Sequence, residues 1–147
     1  MPMRLSILIA EDSPVDRMLL STIVGKQGHR VLTAADGQEA VALFQQERPQ
    51  LVLMDALMPV MDGFEAARQI KRLAGDELVP IIFLTSLSEN QALVSCLEAG
   101  GDDFIAKPYN PIILEAKIQA MHRLRRLQAT VLEQRDLIAR RNQQLLD

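Results

Sequence analysis

The chain has 147 residues, 48% of them hydrophobic and 24% charged, and a net charge of −3. That is an ordinary soluble composition for one domain with an appendage, and its charge is too mild to argue for nucleic acid or a membrane as partner. The lone cysteine, Cys96, excludes an internal disulfide and any multi-cysteine metal site.

In chain order, Leu5–Ala10 is a continuous apolar run of the kind a strand covered on both faces needs. Six apolar or small residues ending at Glu11 and Asp12 are too few for a signal peptide or a membrane span, so a cytoplasmic location is expected. Ser13 then caps a helix with Pro14 in its first position, and Gly28 closes it. Val31–Ala35 reads as a second strand. Asp36 and Glu39 form a capping-box pattern for a helix to about Glu47, before Pro49.

Leu51–Met54 is a third apolar run, ending at Asp55. A loop carrying Pro59 leads to Asp62, the expected cap of a helix over Gly63–Leu73. Ile81–Leu84 is the fourth strand, and Ser88 with Gln91 offers another capping box. Cys96, in an apolar helical pattern with Leu93, Val94 and Leu97, reads as core, and Gly100–Gly101 ends that helix. Phe104–Ala106 is a short fifth strand, and Asn110–Pro111 starts the last helix.

This alternation with short links predicts an α/β fold with a parallel sheet and right-handed crossovers. Five strands and five helices suit the flavodoxin-like doubly wound order 2-1-3-4-5, taken over from known folds rather than read from residues. No Pro or Gly interrupts Pro111–Leu146, 36 residues that would span about 54 Å as a helix. Composition shifts near His122: residues 1–121 carry −6 and residues 122–147 carry +3. The expected division is therefore a domain over 1–121 and a helical extension over 122–147.

Acidic residues fall where strands end: Glu11 and Asp12 after the first, Asp55 after the third. In the expected order those strands are neighbours, so the carboxylates converge and repel unless a cation or proton intervenes. Mg²⁺ answers that need, because it takes a few carboxylates and keeps several waters. Strand four ends in Thr85–Ser86 and strand five in Lys107–Pro108. Acids, a hydroxyl and an ammonium around one Asp suit phosphoryl transfer to a carboxylate. Singly, each has a plainer explanation: a solvated helix-entry acid, a turn, a strand-end hydroxyl, a surface lysine. Their joint placement at four strand ends favours chemistry.

Together these motifs, with the run from Asp55 through Met58, Pro59 and Asp62 to Gly63, resemble the receiver domain of two-component response regulators. The resemblance covers about residues 3–121. It implies that Asp55 accepts a phosphoryl group from a sensor histidine kinase or phosphotransfer protein. It also implies Mg²⁺ held by Glu11, Asp12, Asp55 and the backbone carbonyl of Leu57. Glu11 stands where many relatives have Asp. Thr85 and Lys107 would contact the phosphoryl group, and Phe104 occupies the position of the switch aromatic.

Beyond Met121, Leu124, Val131, Ile138 and Leu145 recur every seven residues with Leu127 beside them, a coiled-coil seam weakened by polar Gln134 and Arg141. The receiver has nothing left to cover this stripe, so a homodimer through residues 122–147 is expected; a solvated helix is the plainer alternative. Four Arg within 123–135, without interleaved aromatics, make nucleic-acid binding by this chain an unfavoured reading. The residues near the C-terminus look like a linker to an output domain such as a diguanylate cyclase. The expected role is a signalling switch, not an enzyme acting on external substrates. The competing reading is a small Mg²⁺-dependent phosphatase-like enzyme with Asp55 as nucleophile, disfavoured by links too short for a substrate lid.

Overall fold

The computed structural model describes residues 4–86 and 89–146. Its elements are β1 (Ser6–Ala10), α1 (Pro14–Lys26), β2 (Arg30–Ala34), α2 (Gly37–Glu47) and β3 (Leu51–Asp55). There follow α3 (Gly63–Ala74), β4 (Ile81–Thr85), α4 (Glu89–Glu98), β5 (Asp103–Ala106) and α5 (Pro111–Leu146). The strands form one parallel sheet in the order β2-β1-β3-β4-β5, as expected.

Strand periodicity sorts the core into two layers. Ile7, Ile9, Leu51, Leu53, Ile82 and Leu84 face α1 and α5, where Leu20, Val24, Leu114 and Ile118 meet them. Leu8, Val52, Met54, Ile81 and Phe83 face the other way, onto Phe44 of α2, Ala66 and Ile70 of α3, and Cys96 of α4. Both faces are covered, which is why the central strands are apolar throughout rather than alternating. No helix among the described residues is long and apolar enough to cross a membrane.

The caps hold the helices where the sequence places them. Ser13 Oγ accepts from Asp16 N–H at 3.4 Å, Asp36 Oδ1 from Glu39 N–H at 2.8 Å, and Asp62 Oδ1 from Glu65 N–H at 2.9 Å. Glu39 reaches back to the N–H of Ala35 at 3.3 Å, one residue before the cap. The Ser88 cap and the side chains of Leu93 and Leu145 lie outside the described residues.

Strand ends differ by one residue from the sequence reading. β1 begins at Ser6, β2 spans Arg30–Ala34, β4 runs on to Thr85 and β5 begins at Asp103. Ladder pairing sets these limits, not polarity: Asp103 pairs with Ile82 and Thr85 with Ala106. α3 gains one residue, ending at Ala74. Cys96 is buried, but Val94 and Leu97, which the sequence groups with it, are exposed. At about 100° per residue they point away from the side that carries Cys96 and Ala99.

α5 continues past Met121 without a break. Leu124, Val131 and Ile138 are uncovered, at 50%, 62% and 59% exposure. Among the described residues, Met121 is the last of α5 buried in the core, but the neighbouring flank of the helix makes polar contacts further on. Gln128 Nε2 donates to the Asp76 carbonyl at 2.9 Å, Arg135 pairs with the Asp76 carboxylate at 3.4 Å, and Arg125 lies 3.9 Å from Glu77. The α3–β4 link thus braces the helix extension.

Candidate functional site

The sheet order reverses between β1 and β3, so a crevice opens at their C-terminal ends. Glu11 leaves β1 there, its N–H donating to the Ala34 carbonyl at 3.0 Å. Asp55 is the last residue of β3. Both are nearly inaccessible, at 1% and 4% exposure, whereas Asp12 is open to solvent. One carboxylate oxygen from each of Glu11, Asp12 and Asp55 can be chosen so that all three lie within 4.8 Å of one another.

Lys107 enters from the end of β5, its N–H donating to the Thr85 carbonyl at 3.0 Å across a rim where Thr85 is itself buried. Its ammonium stands 3.2 Å from Asp55 Oδ2 and 3.6 Å from Glu11 Oε2. The other Asp55 oxygen, Oδ1, accepts from the N–H of Leu57 at 3.2 Å. Leu57 therefore meets Asp55 through its backbone while its side chain is exposed. The loop between them and α3 is tightly built. A Cβ on Gly63 would run into the Asp55 carbonyl, and Gly63 N–H donates to the Ala56 carbonyl at 3.0 Å. Val60 in that loop holds φ 68°, a left-handed conformation strained for a β-branched residue.

Three carboxylates face one ammonium, an excess of negative charge that the site registers. Burial, followed by the adjoining Asp55, pushes the Glu11 carboxyl up to about 7. Burial works against the Lys107 charge, but Asp55 and Glu11 outweigh it and hold its ammonium above the ordinary value. A hard divalent cation fits this donor set, since it would relieve the carboxylate repulsion and complete its shell with water at the open Asp12 side.

Of the residues expected from sequence, Glu11, Asp12, Asp55 and Lys107 are brought together, with Thr85 buried at the rim and Leu57 on the Asp55 carboxylate. Phe104 stands apart. Its ring packs against the α2–α4 layer, and Lys117 Nζ donates to its carbonyl at 3.1 Å and lies 5.8 Å over the ring. Two site residues were not expected. Arg17 Nη1 donates to the Glu11 carbonyl at 2.8 Å, and Tyr109 donates its hydroxyl to Glu11 Oε2 at 3.3 Å. Burial, then the Glu11 and Asp55 carboxylates, raise the Tyr109 hydroxyl above its ordinary range, so it serves as a donor. Tyr109 follows Lys107 by two positions, but nothing in that spacing says that its ring turns under the sheet.

The family model of the response regulator receiver domain matches residues 7–119. The transcriptional regulatory protein AfsQ1 of Streptomyces coelicolor is 41% identical over 118 residues, covering 80% of this chain and 51% of that protein. The chain thus spans about half the length of this and similar transcriptional regulators. The protein PilH of Pseudomonas aeruginosa is 37% identical over 115 residues, 78% of this chain and 95% of PilH. Among solved structures, the receiver domain of the sensor histidine kinase PA1611 of P. aeruginosa, with a magnesium ion in its active-site cleft, superimposes with TM-score 0.74. It is 34% identical and covers 81% of this chain and 98% of its own. The chemotaxis protein CheY4 of Vibrio cholerae gives TM-score 0.75 at 30% identity, covering 81% and 99%.

Proposed function

The chain belongs to the response regulator receiver domain family, whose members work as phosphorylation-based switches, and we propose that Asp55 is its phospho-acceptor. The observation that carries this reading is the Asp55 carboxylate itself. It is buried at the sheet's switch point, with Lys107 Nζ 3.2 Å from Oδ2 and the carboxylates of Glu11 and Asp12 beside it.

In the proposed reaction an Asp55 oxygen forms a bond to phosphorus as the bond from phosphorus to the donor group breaks. The donor is a phosphohistidine of a sensor kinase or phosphotransfer protein. Glu11, Asp12, Asp55 and the Leu57 carbonyl would hold Mg²⁺. When bound, the ion neutralises phosphoryl oxygens and screens the carboxylates from one another. Lys107 places a fixed positive charge against the same oxygens, and Thr85 supplies a hydrogen bond from its hydroxyl. Phe104, two residues before the ladder partner of Thr85, responds through packing, since it has no hydroxyl to follow the phosphate.

Phosphorylation then shifts a two-state equilibrium that changes a contact surface. We place the reader of that change in residues 122–147, where the exposed seam pairs two copies in parallel and sets the angle at which the helices leave. An output domain beyond them, a diguanylate cyclase among the candidates, would sense that angle. The chain itself turns over no external substrate, contacts no nucleic acid and works in the cytoplasm. Fluorine NMR with beryllofluoride tests the site: bound signal should require Mg²⁺ and vanish in Asp55→Asn. Bound signal in that variant would overturn the assignment.

A further inference from the structure

Glu11 is a glutamate standing next to two aspartates, and its longer side chain has more rotamer freedom to lose when it is fixed. Its contacts divide between its two oxygens. Oε1 accepts from the N–H of Ser13 at 3.1 Å, and Oε2 accepts from the Tyr109 hydroxyl at 3.3 Å and faces Lys107 Nζ at 3.6 Å. Lys107 is nearer to Asp55, at 3.2 Å, so it is shared. Among these side chains, the Tyr109 hydroxyl hydrogen-bonds to Glu11 alone. Its ring is half-buried against the α1–α5 layer of the core, which fixes where the hydroxyl can stand.

We propose that Tyr109 is a positioning residue for the metal site, holding Glu11 in the rotamer that aligns its carboxylate with those of Asp12 and Asp55. The inference rests on the reading that these three carboxylates hold Mg²⁺. A rigid aromatic arm supplies what an aspartate at position 11 would obtain from its shorter stem. The hydroxyl adds order without adding charge, so the site keeps the negative excess that attracts a cation.

Calorimetric titration of Mg²⁺ into the full chain tests this, using wild type, Tyr109→Phe, Glu11→Asp and the double variant. Tyr109→Phe keeps the ring and removes the hydrogen bond, and Mg²⁺ affinity should fall roughly threefold to tenfold. In the Glu11→Asp background the shorter carboxylate has no tyrosine contact to lose, so the same change should have little effect. An equal loss in both backgrounds would mean a general structural effect and overturn the proposal. Unchanged or tighter binding in Tyr109→Phe would overturn it too. Wild type that binds no Mg²⁺ at all would remove the metal reading itself, and this inference with it.

A second readout needs no variant. Tyr109 is the only tyrosine and the chain has no tryptophan, so wild-type emission reports this ring alone. It should change on adding Mg²⁺ with the midpoint found by calorimetry. Emission indifferent to Mg²⁺ that calorimetry shows to be bound would overturn the proposal.

Discussion

Lys107 Nζ stands 3.2 Å from Asp55 Oδ2, a contact between residues 52 positions apart that only the assembled sheet brings together. In the proposed switch this ammonium stabilises charge that appears on phosphoryl oxygens as the bond to Asp55 forms. Lys107→Ala should slow phosphoryl uptake from a small-molecule donor by about 100-fold, the usual loss when one preorganised electrostatic partner is removed. The rate of mass gain in the presence of Mg²⁺ measures it. Uptake at the wild-type rate would show that Lys107 plays no part in the transfer.

The β3–α3 loop should tolerate little change. In Gly63→Ala the new Cβ meets the Asp55 carbonyl, which is backbone and cannot step aside. The variant should lose about 1–3 kcal/mol of stability, read as a lower urea midpoint.

The two histidines should each contribute less stability on mild acidification. His29 accepts a hydrogen bond from Leu5 N–H on Nδ1 at 3.1 Å, and burial depresses its pKa below 6.5, partly offset by Glu115. His122 is lowered in the same sense by burial, Arg125, Arg126 and His29. A depressed histidine binds its proton more tightly in the unfolded chain. Its contribution is therefore fully present above the unfolded value of 6.5 and is lost as pH falls through the folded value. Glu11, raised from 4.5 to about 7, acts in the opposite sense over its own window, losing stability as pH rises. Comparing wild type with His29→Gln at each pH cancels the Glu11 effect. The difference between their urea midpoints should shrink from pH 8 to pH 5; a constant difference would contradict the assignment.

How much of this was legible in the sequence follows from what each feature depends on. Asp55 and Thr85 end strands and Glu11 and Lys107 directly follow them, and the strands show as apolar runs, so the site could be read once the strand order was supplied. The Asp36 and Asp62 caps are equally local. Tyr109 is different: its role depends on the ring passing beneath the sheet, a matter of tertiary packing. The same holds for Asp76 and Glu77, which brace Gln128, Arg135 and Arg125 only because α5 runs past the α3–β4 link. Val94 and Leu97 misled because a short helix that is apolar on several sides does not declare which one faces the core.

The seam on α5 gives a prediction about assembly. Val131 and Ile138 are exposed beside the flank that the α3–β4 link braces. Val131→Asp with Ile138→Asp should leave the receiver folded and convert a dimer to a monomer in sedimentation velocity. If wild type sediments as a monomer at high concentration, with and without beryllofluoride, residues 122–147 do not form a coiled coil.

The most direct test of the central claim is intact mass spectrometry after incubation with a small phosphodonor and Mg²⁺. Wild type should gain the mass of one phosphoryl group, and Asp55→Asn should gain none under the same conditions. Equal labelling of the two proteins would contradict the account, because the acceptor would then lie elsewhere in the chain.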